Sequence, residues 1–165
     1  MEQFQEQRES AIRKLANADH MLNMTYPLVK DPRLLLAIVE NLFLAMTNAM
    51  NSILYYERTF KKIPAFPENF EFKLKLFSEQ CVQKYKIEKE SVPILRKLKQ
   101  IILEHKKSPV EFARSNAFII CNKDYKMEKI TPELLKAYLS KAKVFIGQTK
   151  DITKENERIF RRSSY

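Results

Sequence analysis

The 165-residue chain carries 30 Lys and Arg against 20 Asp and Glu, a formal net charge of +10, with one glycine, two cysteines, two histidines and no tryptophan. Average usage of about 7% would give roughly a dozen glycines. Phosphate-cradling loops, dinucleotide turns and strand-to-helix nucleophile elbows all need glycine at fixed spacing, because only glycine takes positive φ or a close backbone approach cheaply. The composition therefore argues against a Walker-type NTPase, a nicotinamide dehydrogenase, a GxSxG hydrolase and a turn-rich β-sandwich, and leaves a helical protein.

Length fits one domain, and 45% hydrophobic residues suffice for a core. The first segment, Gln7 to Tyr26, reads as a helix, with Ala11, Leu15, Ala18, Leu22 and Tyr26 recurring at spacings of three and four. Pro27 is expected to bound it, since proline disfavours helical dihedrals in the residue before it. Asp31-Pro32 then starts a second helix, running to about Phe60. Its apolar face is Leu35, Ile38, Leu42, Ala45, Ala49 and Ile53, widened by Leu34, Phe43, Met46, Met50 and Leu54. So wide an apolar arc marks the centre of a bundle. Glu40, Asn41, Asn48, Asn51 and Ser52 form a narrow polar stripe along it, which either lines a polar site or faces solvent and a packing seam.

A third helix is expected from Glu68 to Lys86, and a fourth from Ser91 to Lys107, stopped by Ser108-Pro109. From Val110 to Ile130 the period changes. Ala117 to Cys121 is apolar and β-prone, Asn122-Lys-Asp124 is a turn cluster, and Tyr125 and Met127 alternate with polar neighbours. These features predict a small β-hairpin or an extended flap. Thr131-Pro132-Glu133 opens a fifth helix, with Gly147 expected as its C-cap. The fold class is thus all-α: one bundle of five or six helices over residues 1–150, with the insertion near 110–130. A basic tail follows over 151–165, helical at first and then frayed.

Cys81 and Cys121 show neither metal spacing nor a disulfide framework, and no Glu-x-x-His motif exists for a di-metal bundle. No metal or cofactor is expected. The polar first residues lack a secretory signal, and the apolar run Leu34 to Val39 falls short of a span of about 20 residues. A cytoplasmic protein with no membrane partner is the expectation.

Charge is unevenly placed. Residues 1–60 hold six basic and seven acidic side chains, residues 61–110 twelve and six, and residues 111–165 twelve and seven. A basic surface attracts polyanions through counterion release. The candidates are Lys97, Lys99, Lys106 and Lys107 on the fourth helix, and Arg114, Lys123 and Lys126 in the flap. Tyr125 and Phe118 lie among them as aromatics on which bases can stack. A lysine-rich surface also serves solubility alone. Catalytic groups are scarce, and His105 is the candidate general acid or base only because so few titrate near neutrality. Arg96 lies about 13 Å from it along the helix, too far for the two to share one phosphate.

The first two helices resemble the HEPN family of small α-helical nucleotide- and RNA-associated domains. The residues carrying the likeness are Ala11 to Met21, the Asp31-Pro32 junction and the stretch Glu40 to Ala49. The resemblance implies a four- or five-helix bundle, frequent dimerisation, and roles in RNA cleavage or in toxin–antitoxin and defence systems. Active members carry an Arg, four to six residues, then a His. Here eight residues separate Arg96 from His105, and no His follows Arg114, so the resemblance implies a non-cleaving member. The leading expectation is a non-enzymatic RNA- or ribonucleoprotein-binding domain, with a homodimer seam on the first two helices. The alternative is a protein-interaction adaptor or antitoxin-like partner.

Overall fold

The computed structural model describes residues 1–155. Helix α1 (Gln3–His20) opens on a capping box in which the Gln5 side chain accepts from the Glu2 backbone N–H at 2.9 Å. It does not stop before Pro27. A π-helical turn, Met21–Thr25, leads directly into α2 (Tyr26–Val29), with the Tyr26 N–H donating to the Met21 carbonyl five residues back. The wider turn breaks the α-register just where Pro27 has no N–H to donate, so the proline is carried without a kinked stop. Lys30, in the left-handed region at φ 55°, ends the segment and donates to Tyr26 at 2.7 Å. Asp31 then grips the Arg33 backbone and guanidinium, at 3.0 and 2.8 Å, and turns the chain.

Helix α3 (Leu34–Thr59) is the centre of the molecule, with every residue of its expected apolar face inaccessible to solvent. By length and composition α3 is apolar enough to cross a membrane, with a mean hydropathy of 1.4 over its most apolar window, half of which is buried inside the bundle. Burial on several sides requires the same apolarity. Helix α1 runs antiparallel to it. Ser52 Oγ donates to the Phe4 carbonyl at 2.7 Å and Asn48 Nδ2 to Ser10 Oγ at 2.9 Å, in opposite order along the two helices. Asn41 turns back onto the Ala37 carbonyl at 2.9 Å, and Glu40 is exposed. The polar stripe thus lies largely along the α1–α3 seam.

Helix α4 (Phe70–Gln80) is capped by the Asn69 side chain and is shorter than expected. Residues 81–86 wind into turns that bring Lys84 and Tyr85 onto Glu57 of α3. Helix α5 (Ser91–Lys107) keeps its expected bounds. The insertion is larger than a hairpin. Strands β1 (Val110–Arg114), β2 (Ala117–Cys121) and β3 (Met127–Ile130) form a three-stranded antiparallel sheet in the order β1-β2-β3. β1 is hidden in the sequence because it lies at the edge and is mostly exposed, so no apolar run marks it. Phe118, Ile120 and Ile130 point into the main core. Phe118 is 6% exposed, which corrects its expected role as a base-stacking ring.

Helix α6 (Pro132–Lys154) is capped by the Thr131 hydroxyl, which accepts the Leu134 N–H at 3.2 Å. Its Phe145 meets Phe77 of α4 with ring centroids 5.7 Å apart. The helix runs straight through Gly147, which is therefore not a C-cap: Thr149 and Thr153 are buried beyond it, and Ile152 is 9% exposed. The expected frayed end, Arg161 to Tyr165, lies outside the described residues.

A Cβ at Gly147 would meet nothing within 4 Å, and no glycine has positive φ. Gly147→Ala should therefore stabilise the protein by about 0.5–1 kcal/mol, through helix propensity and a less flexible unfolded chain. A urea midpoint that rises supports the continuous helix; one that falls contradicts it.

Candidate nucleic-acid interface

The candidate residues gather where α5 meets the sheet. Side chains alternate along a strand, and this sorts the charges of the insertion. Glu111 of β1 and Glu128 of β3 both stand opposite Ile120 of β2, so the three form one row on the inner face. The two glutamate positions are about 10 Å apart across the sheet. On α5, Lys97 and His105 are about 12 Å apart along the axis. Lys97 Nζ meets Glu128 at 2.8 Å, and His105 Nδ1 meets Glu111 Oε1 at 2.7 Å. Helix α5 therefore crosses the strands and is clamped to both edges of the sheet.

Of the expected site residues, Lys97 faces the sheet in an ion pair with Glu128. The His105 imidazole stands against the Glu111 carboxylate of β1. Arg96 is engaged by Glu71 of α4 at 3.6 Å.

The other expected cations divide into a cluster and an outlier. Lys99, Lys107 and Lys123 line one groove of about 540 Å³ between α5 and the β2–β3 turn, together with Arg96. Three carboxylates, Glu71, Glu104 and Asp124, line it as well. Lys99 also lies over the rings of Phe43 and Phe70, 5.5 and 5.3 Å from their centroids, a cation–π contact that holds its stem against the helices. Lys126 lines an adjoining groove of about 380 Å³ that shares Gln100, Glu104, Asn122 and Asp124 with the first. Lys106 is exposed beside Lys107. Arg114 is not part of this cluster. It ends β1, about 13 Å along the strand from Val110.

The β2–β3 turn is braced by one side chain. Asn122 Oδ1 accepts the backbone N–H groups of Asp124 and Lys126, both at 2.9 Å, while the Asn122 N–H donates to the Lys126 carbonyl. Tyr125 is thereby held in the left-handed region at φ 60° and is 89% exposed, between Lys123 and Lys126.

The outer face of the sheet has no plain signal in the sequence. It carries Val110, Phe112 and Arg114 of β1, Ala117, Ile119 and Cys121 of β2, and Met127 and Lys129 of β3. Its one trace is the alternation Val-Glu-Phe-Ala-Arg, which becomes informative only once β1 is known to be a strand.

A buried ionic cluster lies elsewhere. Glu57 is 1% exposed and accepts from Lys84 Nζ at 3.0 Å and from the Tyr85 hydroxyl. Burial, then the bond to Glu57, raises the Tyr85 phenol above its ordinary range. Burial, with the Glu57 charge second, pushes the Cys81 thiol up to about 12. Among the described residues no group of three His, Cys, Asp or Glu side chains is placed to hold a metal ion. No protein-family model, curated protein or solved structure matches the chain.

The two thiols should differ in reactivity, since the thiolate is the nucleophile. Cys121 is half-buried and Cys81 fully buried. Titration with a disulfide reagent near pH 8 should count one thiol in the native protein and two in denaturant. Two thiols reacting at equal rates in the native state would contradict the burial of Cys81.

Proposed function

We propose that this chain is a non-enzymatic RNA- or ribonucleoprotein-binding domain, engaging phosphates through the C-terminal end of α5, the β2–β3 turn and the outer side of the sheet. One observation carries the reading. Lys106, Lys107, Arg114, Lys123 and Lys126 are all exposed, and among the described residues none of them forms an ion pair. The two glutamates of the strands are turned inward onto Lys97 and His105. Cations therefore outnumber the carboxylates Glu71, Glu104 and Asp124 that share this surface. Each phosphate neutralised by such a cation releases condensed counterions, which makes binding steeply salt-dependent.

The test is a salt series on nuclease-treated protein with short RNAs. Replacing Lys106, Lys107 and Lys123 by Ala should weaken binding uniformly across sequences and lower the log–log salt slope by about one for each phosphate no longer neutralised. Unchanged affinity and slope in that triple variant would overturn the surface assignment.

A second reading is an adaptor or antitoxin-like protein, with the end of the first helical segment as the contact. Met24 is 59%, Leu28 85% and Val29 59% exposed, three apolar side chains within six residues beside the π-helical turn. Contact through that patch, whether with a second copy or another protein, would respond little to salt, which separates it from the first reading in the same series.

A further inference from the structure

We infer that the outer face of the sheet takes single-stranded RNA, with unpaired bases against Phe112 and Tyr125 and phosphates on Arg114 and Lys129. The inference rests on the RNA-binding reading and narrows it to a substrate class.

Strand register places the groups. Phe112, Ile119 and Lys129 stand opposite one another in one row across the outer face. Val110, Cys121 and Met127 form the next row toward the β2–β3 turn, and Arg114 with Ala117 the row on the other side. The Lys129 position is about 10 Å from Phe112 across the sheet, and Arg114 about 7 Å from it along β1. The accessible apolar side chains stand on the two edge strands: Phe112 is 38% and Val110 52% exposed on β1 and Met127 67% on β3, while Ala117 and Ile119 of the central strand are buried. Arg114 and Lys129 flank it, both exposed, and no strand residue on this face is acidic. The face is thus complementary to a ligand with flat apolar faces between negative charges.

An unpaired strand has that pattern, because each base offers a π-face and each link a phosphate. A duplex does not, since its base faces are stacked away and only its backbone and groove edges meet a protein. Tyr125 decides between RNA and an acidic protein segment. A protein-docking patch gathers its exposed apolar side chains together at its centre. Here the most exposed aromatic stands at the tip of a braced turn, among Lys123, Asp124 and Lys126 and two residues before Met127.

The experiment measures fluorescence anisotropy of a labelled ten-nucleotide oligouridylate and of an RNA hairpin with the same number of phosphates. Wild-type protein should favour the single strand by at least tenfold. Tyr125→Ala and Phe112→Ser should each weaken the single strand by about tenfold, leaving hairpin affinity and the salt slope unchanged because no charge is removed. Tyr125 contributes nothing to the core, so its variant folds, and Tyr125→Phe should retain the wild-type affinity for the single strand. Equal wild-type affinity for both RNAs, or full single-strand binding by Tyr125→Ala, overturns this inference while leaving the RNA-binding reading standing. Failure of wild type to bind either RNA at low salt overturns both. Equal or tighter binding of an oligoglutamate peptide, abolished in the same two variants, replaces RNA by an acidic protein segment and also overturns the inference.

Discussion

Burial of α3 is the constraint on which the rest of the fold depends. Leu35, Ile38, Leu42, Ala45, Met46, Ala49, Met50, Ile53 and Leu54 retain no accessible surface. They spread around the helix rather than along one stripe, so a single neighbour cannot cover them. Helices α1, α4, α5 and α6 all pack on α3. Each leucine, isoleucine or methionine side chain removed from water there contributes about 1.5–3 kcal/mol against the cost of ordering the chain. Helix α1 closes one side through Ser52 and Asn48, so even the polar seam supports the packing. The charged groups of the later helices are left at the periphery.

Helix α5 carries this arrangement outward to the surface. Ile94, Leu95, Leu98 and Ile101 are buried, while Lys97 and His105 face the sheet. The sheet is a small element that packs its apolar face against the bundle. It is stabilised by Phe118, Ile120 and Ile130 in the core and held in orientation by two carboxylates meeting α5. The Lys97–Glu128 pair is partly exposed and contributes little to stability. Burial of Phe118, Ile120 and Ile130 fixes which face of the sheet is inner, and strand alternation then places Arg114, Lys129 and Phe112 outward together.

The sequence carried some of this plainly. The breadth of the α3 apolar arc showed that it is central, Thr131-Pro132-Glu133 marked the start of α6, and the α5 bounds followed from Ser91 and Ser108-Pro109. Other features depended on partners distant along the chain. Pro27 ends a helix in isolation, but a π-helical turn before it carries the helix on to Val29. Glu57 stands among aromatic residues near the end of α3, and its burial makes sense only beside Lys84 and Tyr85. Lys97 resembles any surface lysine until Glu128 is brought to it, and Phe118 and Tyr125 look equivalent until the sheet buries one and exposes the other. At the candidate site, the concentration of charge in the second half of the chain was legible. Its division into inner and outer sets was not, because that depends on β1.

The sheet and its turn are the surface we propose for RNA contact. Photo-crosslinking gives the sharpest test, by irradiating the full chain with an oligonucleotide containing 4-thiouridine and mapping the attached peptides by mass spectrometry. Adducts should concentrate within residues 106–130, with Phe112 and Tyr125 prominent among the modified positions. Adducts concentrated on α1 to α3, or no adducts above those of a neutral control protein, would contradict the proposal.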